Sequence, residues 1–201
     1  MPKLAKDTII GVCGAGAMGA GIAQVAACAG HKVIVFDSFE GALNRGRQSV
    51  ENGAKALLKR GKINETEAKA IAERLIWTKD ISSLSFCGLV IEAIIENLNI
   101  KIELFQKLEN IISETAYLAT NTSSLSVSAI AARLSRPNNF LGLHFFNPAP
   151  IMKLVEVVEG LQTDEAVVPS CMTLMHSWGK QAVKAKDVPG FIVNRVARPR
   201  G

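Results

Sequence analysis

The chain has 201 residues, enough for one large α/β domain or one domain with a piece of another. Its 48% hydrophobic content supplies a core, but no apolar run approaches the ~20 residues of a membrane span. The net charge of +5 is modest and comes without an aromatic or basic recognition pattern, which argues against nucleic acid as a partner. Met-Pro-Lys-Leu-Ala-Lys-Asp is too short and polar for a signal peptide. Cys13, Cys28, Cys87 and Cys171 are scattered through apolar segments without metal-ligand spacing and read as buried free thiols of a reducing cytosol; no metal site is expected.

In chain order, the first element is an apolar strand, Ile9-Ile10-Gly11-Val12-Cys13, running into Gly14-Ala15-Gly16-Ala17-Met18-Gly19. A helix of small residues, Ala20 to Ala29, follows and closes on Gly30. Lys32 to Phe36 is a second strand, and it ends at Asp37, 18 residues past Gly19. Strand, G-x-G-x-x-G, helix, strand and acid in this order predict a dinucleotide site. Gly14 allows the turn, Gly16 clears space for the pyrophosphate, and Gly19 lets the helix lie close. The phosphates then meet the free N–H groups of the first helical turn. Asp37 suits a ribose 2′-OH and would repel a 2′-phosphate, and Ser38 and Phe39 supply no arginine, so NAD is favoured over NADP.

Residues 39–76 are helical in pattern and interrupt the strand-helix alternation, with Gly61 at the bend and a capping box at Asn64 and Glu67, which predicts an inserted helical hairpin. Lys55, Lys59, Arg60 and Lys62 near its bend are either a solvated helix face or a docking point for a phosphorylated ligand such as coenzyme A. Then come a strand at 88–92, a helix from Leu98 to Ile112, a strand at 117–120 and a helix from Val127 to Leu134. Strands at 140–143 and 154–158, a helix from Asp164 to Trp178 and a last strand at 181–183 complete the series. The alternation predicts a doubly wound, mostly parallel, Rossmann-type sheet, whose ligands lie beyond the C-terminal strand ends. Asn121 to Ser124 and His144 to Asn147 both fall there.

His144, after a strand and before a loop, is placed to act as a general base. Glu156, 12 residues on, lies in a strand that can return beside it and orient the ring. Spacing alone leaves open a structural histidine.

The blocks Asn121-Thr122-Ser123-Ser124-Leu125, Gly142 to Pro148, Met152 to Val158 and Pro189-Gly190-Phe191-Ile192-Val193-Asn194-Arg195 resemble the L-3-hydroxyacyl-CoA dehydrogenase family over essentially the whole chain. Ser177 to Gln181 and Val193 to Pro199 resemble its bacterial phenylacetate-degradation branch, whose substrate is 3-hydroxyadipyl-CoA. The resemblance implies that His144 takes the 3-hydroxyl proton while hydride leaves C3 for the nicotinamide, with Glu156 orienting it. It implies that Ser123 and Asn194 hydrogen-bond the substrate oxygen, and that Glu96, Lys101, Ser123 and Asn147 contact NAD. Lys59 or Arg60 would meet coenzyme A. The plainer alternatives are Ser123 as a helix cap, Asn194 as a helix-start residue and Lys101 as a solvated lysine. The resemblance also implies a cytoplasmic enzyme whose helical second domain forms a homodimer and closes the substrate cleft. Residues 1–186 would then be the NAD-binding domain, and 187–201 a linker and the start of a second domain cut short at Gly201. Two alternatives remain: 3-hydroxybutyryl-CoA as substrate, or a non-catalytic NAD-binding protein in the manner of crystallins that resemble the family.

Overall fold

The apolar four-residue runs of this chain become the middle of a sheet. In the computed structural model, which describes residues 4–193 and 196, β1 (Ile10–Cys13), β4 (Leu89–Glu92), β5 (Tyr117–Thr120) and β6 (Phe140–Phe145) are buried along their whole length. Strands covered on both faces lose the alternation of a half-wet strand, which is why they read as unbroken hydrophobic words. With β2 (Val33–Phe36), β3 (Leu75–Thr78), β7 (Leu154–Glu159) and β8 (Gln181–Lys186), the eight strands among the described residues lie in the order β3-β2-β1-β4-β5-β6-β7-β8. All pairs are parallel except β6 with β7 (Leu154–Glu159). β2 (Val33–Phe36) is the partner of β1 on the other side of the chain reversal, so the sheet is wound both ways from β1 and β4.

Helices cover both faces. α1 (Ala17–Cys28), α2 (Glu40–Lys59) and α6 (Val167–Ser177) pack over one hydrophobic cluster, and α4 (Leu98–Glu109) and α5 (Val127–Ala131) over the other. α2 and α3 (Glu65–Glu73) form the expected hairpin. The Asn64 side chain accepts the Glu67 N–H at 2.9 Å, and the Glu67 carboxylate accepts the Asn64 N–H at 2.8 Å, so the capping box is reciprocal. Gly46 in α2 has a steric reason: an added Cβ would lie 2.8 Å from the Ala15 carbonyl oxygen and 2.8 Å from the Trp77 ring.

Several sequence expectations change, the helices expected to reach Ile112 and Leu134 ending at Glu109 and Ala131 and the one expected over Asp164 to Trp178 spanning Val167–Ser177. Leu75 and Ile76 belong not to the hairpin but to β3 (Leu75–Thr78), a half-exposed edge strand pairing with β2. A four-residue apolar run is too short for periodicity to separate strand from helix. β6 continues through Phe145, so His144 lies inside the strand, not after it. The last strand, β8 (Gln181–Lys186), runs three residues further than expected and carries Lys184 and Lys186 on an edge that charge protects. Cys28 is exposed, unlike the other three cysteines. Burial pushes the Cys87 and Cys171 thiols up to about 12, which leaves them unreactive near neutrality. Among the described residues no helix is long and apolar enough to cross a membrane.

Candidate active site

The first part of the site is the turn between β1 and α1. Gly14 has φ +100°, and an added Cβ would sit 2.6 Å from the Ala93 carbonyl oxygen. At Gly19 a Cβ would collide with the Gly14 carbonyl oxygen at 1.8 Å. That glycine is therefore required by the turn itself as much as by the helix-sheet approach. Gly16 differs, because a Cβ there would meet nothing within 4 Å. It opens onto space at the N-cap of α1, where no side chain satisfies the first-turn N–H groups. Asp37 stands beside this turn: Oδ2 accepts the Ala15 N–H at 2.8 Å and Oδ1 the Phe39 N–H at 2.9 Å. One carboxylate thus fixes the turn and faces a cleft walled by Phe36, Ile81, Ile94, Ile100 and Leu104.

The second part lies at the C-terminal ends of β4, β5 and β6. The antiparallel register sets His144 directly opposite Glu156. His144 Nδ1 is 2.7 Å from Glu156 Oε2, with His144 only 6% and Glu156 0% exposed. The second oxygen of Glu156 accepts the N–H groups of Ile192 and Val193, each at 2.9 Å. Both carboxylate oxygens are therefore engaged, as a buried anion requires. With Nδ1 held, Nε2 is the ring nitrogen left for the cleft that His144 lines. Phe146 and Phe191 flank the imidazole at 4.5 and 5.7 Å between ring centres. Phe191 sits at φ +46°, a strained conformation for a bulky residue, and such strain concentrates at functional sites.

Met18, Glu96, Lys101, Ser123 and Asn147 line the same cleft as His144. Lys101 is not solvated: it is 1% exposed, with Nζ 2.5 Å from Glu92 Oε1 and 3.2 Å from Glu96 Oε2. Glu96 Oε1 accepts the Thr122 hydroxyl, the Ser123 N–H at 3.1 Å and the Ser124 hydroxyl at 3.1 Å, binding this loop to the wall. Burial pushes the Glu96 carboxyl up, but the Thr122 and Ser123 hydrogen bonds and the Lys101 ammonium outweigh it and hold it below the ordinary range. Ser123 does not cap α5, since Ser126 does so by accepting the Ala129 N–H at 3.1 Å. Asn147 is exposed in the loop after β6, and Lys180 fastens that loop by donating to the carbonyls of Ala149 at 2.5 Å and Met152 at 2.8 Å. Lys59 and Arg60 are both exposed at the end of α2. Arg60 lines a groove with Gly53, Asn147 and Pro148, and Lys59 does not. Asn194 lies outside the described residues.

Residues 9–188 match the family model of the 3-hydroxyacyl-CoA dehydrogenase NAD-binding domain. This chain belongs to that family. It is 47% identical over 190 residues to the 3-hydroxyadipyl-CoA dehydrogenase of Escherichia coli K12, covering 94% of this chain and 40% of that protein. It is 42% identical to the mitochondrial hydroxyacyl-coenzyme A dehydrogenase of Rattus norvegicus, covering 94% of this chain and 62% of that one. A crystal structure of 3-hydroxybutyryl-CoA dehydrogenase from Escherichia coli K12 superposes with a TM-score of 0.94 at 47% identity, covering 96% of this chain and 41% of the other. The chain thus spans about two fifths to three fifths of these relatives' lengths.

The residues present fit NAD. The space over Gly16, the uncapped first turn of α1 and the acid at the end of β2 are where a pyrophosphate and a ribose diol need them. Four residues that shape the site were given no role of their own from the sequence. Glu92 read as the end of a strand, although an acid closing an otherwise apolar buried strand was a usable signal. Asn121, whose side-chain oxygen accepts the Phe145 N–H at 2.8 Å, ties β5 to the end of β6 and also lines the cleft. Ile100 and Leu104, one turn apart on α4, line the slot beside Asp37.

Proposed function

We propose that this chain is the cofactor-binding part of an NAD-dependent dehydrogenase that oxidises the 3-hydroxyl of an L-3-hydroxyacyl-CoA to the 3-oxo compound. The observation that carries this reading is the buried His144–Glu156 pair at 2.7 Å on the wall of the cleft. NAD supplies the hydride acceptor for C3. His144 takes the hydroxyl proton on Nε2, since its Nδ1 is held by Glu156. Glu156 fixes the tautomer and stabilises the imidazolium that forms. Ser123, together with Asn194 from the segment beyond the described residues, hydrogen-bonds the substrate oxygen. Glu96, Lys101 and Asn147 hold the nicotinamide half of the cofactor, and Gly14 to Gly19 with Asp37 hold the rest. Lys59 or Arg60 meets the coenzyme A end; the place of Arg60 in the groove with Asn147 favours Arg60.

We assign residues 1–186 to the cofactor domain and 187–201 to the linker and start of a second domain through which the whole protein dimerises in the cytoplasm. The substrate we favour is 3-hydroxyadipyl-CoA, supported by the blocks that resemble the phenylacetate branch. A second reading, 3-hydroxybutyryl-CoA, is favoured by the similarity to the crystal structure that bears that name. Comparing kcat/KM for the two thioesters decides between them.

The test of the chemistry is His144→Gln in the full protein. Turnover falls about 10²–10⁴-fold while NADH affinity, read by fluorescence titration, is kept. Unchanged turnover would reject His144 as the base. NADH binding with no oxidation of any 3-hydroxyacyl-CoA by the wild type would leave a dinucleotide-binding protein without catalysis.

A further inference from the structure

The cleft contains a second buried ionic group besides His144 and Glu156. Glu92, the last residue of β4, is 0% exposed. Its Oε1 accepts Lys101 Nζ at 2.5 Å and the Ile94 N–H at 2.7 Å, and its Oε2 accepts the Thr120 hydroxyl at 2.7 Å. Lys101 also pairs with Glu96, whose side chain is 37% exposed at the cleft. Two carboxylates thus share one ammonium. Burying such a group costs desolvation that a well-packed apolar trio would avoid, so stability alone does not account for it. Its charge does not cancel: Glu92 and Glu96 carry two negative charges against one on Lys101. Behind His144, which lines the cleft, lies the buried carboxylate of Glu156.

We infer that the Glu92–Lys101–Glu96 group sets the redox preference of cofactor binding, its uncompensated negative charge favouring the oxidised, cationic nicotinamide over the reduced, neutral one. Glu92 is here a positioning residue: it holds Lys101, which holds Glu96 and, through it, the Thr122–Ser124 loop. This rests on reading the cleft around His144 as the nicotinamide end of the cofactor site. The only charge by which NAD+ and NADH differ is the one on that ring, so a fixed charge nearby acts on their affinity ratio and not on the parts they share. Removing one negative charge at a separation of several ångströms, partly screened by solvent, moves the ratio about three- to tenfold.

The experiment measures Kd for NADH by fluorescence titration and for NAD+ by calorimetry at one ionic strength, without acyl-CoA, for the whole chain and its Glu92→Gln and Glu96→Gln variants. The expected result is a rise of about three- to tenfold in Kd(NAD+)/Kd(NADH) in both variants, because each removes one negative charge. Thr120→Val removes the hydrogen bond to Glu92 and the one accepted from the Thr122 N–H without changing charge; it should lower the melting temperature and leave the ratio where it was. An unchanged ratio in both Gln variants, or equal weakening of both cofactor forms, overturns the inference. Should Glu92→Gln not fold, the half-exposed Glu96→Gln carries the test. The reading of the chemistry fails on turnover of His144→Gln and this inference on a binding ratio, so the two failures are distinguishable.

Discussion

At the scale of single residues, the three glycines of the turn separate into a folding role and a binding role. An added methyl at Gly19 would sit 1.8 Å from a backbone oxygen, which no side-chain motion relieves, whereas at Gly16 it would meet open space. Gly19→Ala should therefore destabilise the protein and abolish NADH binding together. Gly16→Ala should melt within about a degree of wild type, since the free fold gains no clash, yet lose roughly ten- to a hundredfold in NADH affinity by filling the pyrophosphate space. Calorimetry beside a fluorescence titration reads both, and equal effects at the two glycines would refute the division. Glu156 makes the same distinction within one side chain. Its two oxygens serve the imidazole and the N–H groups of Ile192 and Val193. Glu156→Ala orphans all three partners, the imidazole among them buried, and should cost about 3–5 kcal/mol of stability in a denaturation curve. Glu156→Gln keeps an oxygen for part of that set, so it should fold while turning over far more slowly.

At the scale of elements, α5 is held from outside. It is a short helix, Val127–Ala131, whose N-terminus is gripped by Asp187 just beyond β8, through Ser126 Oγ at 2.8 Å, Val127 N at 3.0 Å and Ser128 N at 2.7 Å. Burial pushes the Asp187 carboxyl up, but the hydrogen bonds from Ser128, Ser126 and Val127 prevail and hold it below the ordinary aspartate range. A depressed folded-state value means stability that is fully present above the unfolded value and is lost as pH falls through the folded one. Asp187→Ala should thus cost about 1–2 kcal/mol at neutral pH, typical of a lost cap, and the gap to wild type should close on acidification below pH ~4. Urea denaturation at pH 7 and pH 3 checks this; a gap of the same size at both values would show that charge is not what Asp187 contributes. No local word in the sequence announces this grip, because its partners lie about 60 residues apart. The elements that were legible are those with a local signature: β1 with its glycine turn, β2 ending on Asp37, and the capping box of α3. β3 was lost in the hairpin because four half-exposed residues carry no period. The His144–Glu156 pairing was legible as a spacing, but its register depended on β7 returning antiparallel, which no residue in that stretch specifies.

At the scale of the whole molecule, the strand order sets Asp37 and His144 apart along one edge of the sheet. On the proposed function, Asp37 at the end of β2 would mark the adenosine end and His144 near the end of β6 the reacting end, with the glycine turn of β1 between them. That reading predicts that selectivity for the phosphate-free cofactor depends on the β2 end alone and the proposed chemistry on β4 through β7. Asp37→Asn keeps a side-chain oxygen for the Ala15 N–H and gives up the bond from the Phe39 N–H, so the turn at Ala15 is still held, but it removes the charge that repels a 2′-phosphate and strengthens the bond to a ribose hydroxyl. NADH affinity should fall about tenfold and the preference for NADH over NADPH should collapse by about a hundredfold, the difference between a charged and a neutral partner in two hydrogen-bonding states. The reduced nicotinamide mononucleotide, which lacks the adenosine half, should bind wild type and Asp37→Asn equally well. Competition titrations with the three reduced nucleotides measure all of this in one series. If the mononucleotide weakens as much as NADH does, the two ends are not independent, and Asp37 acts chiefly by holding the turn at Ala15 in place.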